Sequence, residues 1–82
     1  MRNEMLERAI LKNLARVDTG LKQKSLMCAV EVEIDRYDVT TDEFEDTLLA
    51  LEDKCLVDRH TTLIGDRVWG ITQMGRDALK GL

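Results

Sequence analysis

Residues 40–54 read TTDEFEDTLLALEDK, six carboxylates with a single lysine. A carboxylate pair works as general acid and base only where a cleft shifts its protonation. A run of them on one surface instead sets up a field for a charged partner. Nucleophiles and metal ligands are sparse. Ser25 has no base beside it in the sequence. Cys28 and Cys55 form no C-x-x-C pair, and with His60 the only histidine they do not make up a zinc-binding set within one chain. Both cysteines fall in apolar helical contexts, which predicts small core residues. Gly65 and Gly70 fall in a hairpin pattern and Gly75 in a helical one, so no phosphate-cradling loop is present. These residues predict a protein that is not an enzyme and takes no cofactor and no metal.

The bases lie elsewhere. Residues 1–24 hold six bases and three acids, residues 25–55 two and ten, and residues 56–82 four and three. An acidic block thus stands between mildly basic flanks, within a net charge of −4. Length allows one domain, 1–82, and at 82 residues such a chain buries only about 60% of its unfolded surface. The 44% apolar content suits a globular core, and the absence of proline leaves no linker or low-complexity tract. No segment is apolar enough to be a signal peptide or to span a bilayer, which predicts a cytoplasmic protein with no membrane partner.

Several elements must position these groups. Asn3–Val17 is predicted as an amphipathic helix, with Leu6, Ile10, Leu14 and Val17 on one face and Arg8, Lys12 and Arg16 opposite. Asp18-Thr19-Gly20 stops it, with Gly20 as a left-handed cap. A second helix is expected over about Lys22–Glu33, burying Leu26, Met27 and Val30, with Ile34 in the same spacing and a turn over Asp35–Val39. Thr40 opens a third helix. Thr40 and Glu43 form a capping box, Val39 and Phe44 a hydrophobic staple, and Phe44, Leu48, Leu51 and Cys55 the buried face. Leu56–His60 and Arg67–Ile71 are predicted as a hairpin turning at Ile64-Gly65-Asp66, with Trp69 and Ile71 inward. Thr72 caps a last helix, Gln73–Leu82, whose apolar side is Met74, Ala78, Leu79 and Leu82.

Helix, helix, helix, hairpin, helix, with certain words in certain places, resembles the winged helix-turn-helix superfamily. Leu48-Leu49-Ala50-Leu51-Glu52-Asp53-Lys54-Cys55-Leu56-Val57 is similar to its L-x-x-L-E-x-K-G-L-V junction, and Ile71-Thr72-Gln73-Met74-Gly75-Arg76-Asp77-Ala78-Leu79 to its L-T-x-x-G-R-x-A-L closing helix. The resemblance covers nearly the whole chain. It implies a mostly helical α+β fold, with a three-helix core, a two-stranded wing and a C-terminal helix, of the kind found in small bacterial, archaeal or phage transcription regulators. It is specific for fold and weak for function, because winged helices bind DNA, RNA and proteins.

Two departures stand out. Cys55 replaces the junction glycine that eases a left-handed turn. The third helix, which enters the DNA major groove in DNA-binding members, is acidic here. At about 100° per residue from Phe44, Asp42, Asp46 and Asp53 fall nearly opposite the buried face, with Glu45 and Glu52 on one flank and Glu43 on the other. Leu49 sits within that arc. The outward arc is either a solvated face or a docking surface for a basic protein, with Asp42, Glu45, Asp46, Leu49 and Asp53 as its residues. Direct DNA binding is the alternative, through Arg59, His60 and Arg67 of the wing and Arg8, Lys12 and Arg16 of the first helix, with the third helix turned away. Ordinary surface charge explains the same bases. A third expectation is a homodimer through the first and last helices.

Overall fold

A computed structural model describes residues 4–17, 20–35 and 38–81. Asn3, Asp18, Thr19 and Leu82, assigned above to helix ends or faces, lie outside the described residues. The chain runs α1 (Glu4–Ala15), α2 (Gln23–Ile34), α3 (Thr41–Asp53), β1 (Val57–Thr61), β2 (Arg67–Ile71) and α4 (Gln73–Lys80). The periodicity of each helix sets what it buries. Leu6, Ile10 and Leu14 of α1 meet Leu26 and Val30 of α2 and Phe44, Leu48 and Leu51 of α3 in one core, closed below by Val57 and Trp69. Val39 is buried in the same cluster as Phe44, as a hydrophobic staple requires.

The strands pair antiparallel with Arg59 opposite Trp69 and Thr61 opposite Arg67. The hairpin is not alone. Leu21 exchanges both backbone hydrogen bonds with Trp69, at 2.9 and 2.8 Å, so β2 is bracketed by β1 and the α1–α2 connector. Gly20 makes that approach feasible. Its φ is +84°, and a Cβ there would stand 2.7 Å from the Trp69 carbonyl oxygen. This contact leaves Val68, Trp69 and Gly70 all buried, so β2 does not follow the simple in-out alternation of a two-stranded wing.

The end of α3 corrects two expectations. Cys55 adopts φ +64° although it carries a side chain. Leu56 N–H donates to Leu51 O at 3.0 Å and Cys55 N–H to Glu52 O at 2.9 Å, the paired bonds of a Schellman cap. The left-handed turn therefore forms without glycine, against a steric cost of about 1–2 kcal/mol. Cys55 is exposed, because the chain has left the helix and its period no longer applies. Cys28 is exposed as well. It stands two residues after the buried Leu26, about 200° around α2, and so on the outer side.

The α4 start is tied to this junction. Thr72 Oγ1 accepts from Gly75 N–H at 3.0 Å and donates to the Cys55 carbonyl at 2.6 Å. Gly75 is buried, and a methyl group there would overlap the Leu56 carbonyl oxygen. Met74 is exposed, contrary to its assignment to the apolar side of α4; Ala78 and Leu79 are partly buried.

Candidate partner interface on α3 and the wing

The Thr40 cap fixes where α3 begins and hence which way its side chains point. Thr40 Oγ1 accepts from Glu43 N–H at 3.0 Å, one half of the expected capping box. With Phe44, Leu48 and Leu51 fully buried, the remaining positions are committed outward. Asp42, Glu45, Asp46 and Asp53 are exposed, and Leu49 among them is 43% exposed. Asp42, Asp46, Leu49 and Asp53 recur at i, i+4, i+7 and i+11, so they form one stripe along the helix. None of the four acids makes an ion pair among the described residues. Lys54, the single cation of the segment, is drawn to Glu7 of α1, with Nζ 3.8 Å from Oε1.

Glu52 behaves differently. It lies on the α3 flank facing the wing and takes Arg59 in a two-point pair, Nε to Oε2 at 2.9 Å and Nη2 to Oε1 at 3.1 Å. The Arg59 guanidinium also stands 5.3 Å from the centre of the Trp69 ring, its cross-strand neighbour. Carboxylate, guanidinium and indole thus fasten the wing to α3. The sequence placed both Glu52 and Arg59 at the surface but could not show that they meet, because their contact depends on how the hairpin folds back.

The other bases are scattered. Arg67 is exposed near the wing tip and makes no ion pair among the described residues. His60 Nδ1 lies 4.0 Å from Asp58 Oδ1. Lys22 reaches Asp66 at 3.4 Å. On α1, Arg8 and Lys12 are exposed without an ion pair among the described residues, whereas Arg16, just past the helix end, binds Glu33 of α2 at 3.3 Å. The six bases considered for nucleic acid are therefore divided between the wing and the region of the first helix, and Arg59 and Arg16 are already engaged. Among the described residues, no three histidine, cysteine or acidic side chains converge where they could hold a metal ion, and no helix is long and apolar enough to cross a membrane.

Sequence reading missed Leu63 and Ile64. They are the central residues of the wing turn, 108% and 85% exposed, and Gly65 N–H closes the turn onto the Thr62 carbonyl at 2.9 Å. The available signal was their position. Two adjacent aliphatics occupy a turn where polar residues or glycine are usual.

No family model matches the chain, and no curated protein sequence matches it. Among solved structures, the chain is similar to the crystal structure of SSV1 F-93, with a TM-score of 0.69 and 19% identity over 92% of this chain and 79% of that one. At that identity the likeness speaks for the fold alone: three core helices, a two-stranded wing and a closing helix, a winged helix.

Proposed function

We propose that this chain is a non-enzymatic winged-helix module of the transcription-regulator type, acting in the cytoplasm by binding a protein with a basic surface through α3. One observation carries the reading: the outward stripe of the helix that meets DNA in this architecture holds Asp42, Asp46 and Asp53, with Glu45 beside it, all exposed. Two like charges about 6 Å apart already cost roughly 0.7 kcal/mol in bulk water, and more beside a low-dielectric surface. Non-specific DNA binding supplies only about 5–8 kcal/mol, from phosphate neutralisation. Several carboxylates held against phosphates would cancel much of that. The same stripe attracts a cationic protein surface, and Leu49 offers it an apolar contact.

Binding assays with Asp46→Lys plus Asp53→Lys test this reading. Partner capture by the wild-type chain should fall with salt and vanish in the double variant. Capture that survives the charge reversal unchanged rules out α3 as the docking element.

Direct DNA binding through the wing is the second reading, favoured by Arg67, which makes no ion pair among the described residues. The engagement of Arg59 by Glu52 weakens it.

A further inference from the structure

A second feature of the surface is independent of the acidic stripe. A cleft of about 490 Å³ opens between α1 and α4 beside the α3–β1 junction. Its floor is aliphatic, made by Met5, Leu11, Leu56 and Ala78. Its volume falls in the range of sites that accept small apolar groups. At the other end of the hairpin, Leu63 and Ile64 project from the wing tip. The turn that presents them is closed by two hydrogen bonds, Thr62 N–H donating to Asp66 O at 2.8 Å and Asp66 N–H to Thr62 Oγ1 at 3.1 Å. Neither belongs to the hydrophobic core.

We propose that the wing tip of one copy seats Leu63 and Ile64 in the α1–α4 cleft of a second copy, giving a closed, two-fold pair. Three observations favour a second copy as the occupant. Knob and hole are both aliphatic, so each removes from water the apolar surface the other exposes. A cation of the tip can meet an anion of the rim: Arg67 flanks the tip, and Glu4 stands on the cleft rim, neither in an ion pair among the described residues. Arg8 shares the rim, while Lys54 there is held by Glu7. Topology supplies the third. Leu56 immediately precedes β1, so the cleft sits at the base of the hairpin, and the tip lies about 16 Å away along five residues of strand. A two-fold axis across the hairpin would bring each tip to the other copy's base, and both contacts close together rather than propagating into a fibre.

Sedimentation equilibrium of the full chain, from micromolar to millimolar, is the test. The apparent mass should rise from one chain to two and stop there. Leu63→Ser plus Ile64→Ser should raise the dissociation constant at least about tenfold while leaving the thermal transition in place. Arg67→Glu and Glu4→Lys should each weaken the pair, and together restore it. Asp46→Lys plus Asp53→Lys should leave it intact, which separates this proposal from docking on α3. A single-chain mass throughout, assemblies that keep growing, or a pair indifferent to the tip substitutions would overturn it.

Discussion

The two flanks of α3 treat the same chemistry in opposite ways. Toward the wing, Glu52 is half-buried and bound at two points by Arg59, which lies over Trp69. On the outer stripe, Asp42, Asp46 and Asp53 are exposed and make no ion pair among the described residues. One carboxylate is consumed in holding the fold, and the others are left facing outward. Acidity along this helix therefore has two causes. A composition count merges them, and only the packing of the hairpin against the helix separates them.

The adjacent pair Leu48 and Leu49 gives the sharpest contrast. Leu48 is fully buried, and Leu48→Ala should cost about 2–5 kcal/mol by leaving a cavity. Urea denaturation measures it, with Leu49→Ala as the matched control. Next in size is the helix start. Thr40→Ala removes the acceptor for Glu43 N–H and should cost about 1 kcal/mol, lowering the melting temperature by roughly 4–8 °C. Of similar size and opposite sign, Cys55→Gly relieves the left-handed backbone at the end of α3 and should stabilise by about 1 kcal/mol. A decrease in stability would show that the cysteine side chain makes contacts worth more than the strain.

Smaller still is the clamp on the wing. A double-mutant cycle on Glu52→Gln and Arg59→Ala should return a coupling of about 0.5–1 kcal/mol, weakened by salt, since both groups are partly solvated. A coupling of zero would erase the distinction between the two flanks. Smallest of all, Leu49→Ala should change stability by no more than about 0.5 kcal/mol while weakening partner binding. A large loss of stability there would mean that Leu49 belongs to the core.

Most of the framework was legible because local signals agreed with one another. The 3.6-residue spacing of Leu6, Ile10 and Leu14 and the Thr40 and Thr72 caps each pointed to the element that forms. The outward direction of Asp42, Asp46 and Asp53 followed from fixing Phe44 inward. Non-local contacts were not legible. Nothing near Leu21 announced its bridge to Trp69, and nothing near Arg59 announced Glu52, since each contact requires the hairpin to fold back first. The cysteines depart from the expected burial because apolar neighbours in sequence do not fix which way a side chain points. At Cys28 the helical period itself pointed outward, and at Cys55 the period had ended.

The central claim concerns the sign of the field that α3 presents. Fluorescence anisotropy of a labelled mixed-sequence DNA duplex, titrated with the chain at low salt, tests it most directly. No binding is expected up to high micromolar protein. Salt-sensitive binding that Arg59→Glu plus Arg67→Glu abolishes would contradict it and make the wing a DNA-binding surface.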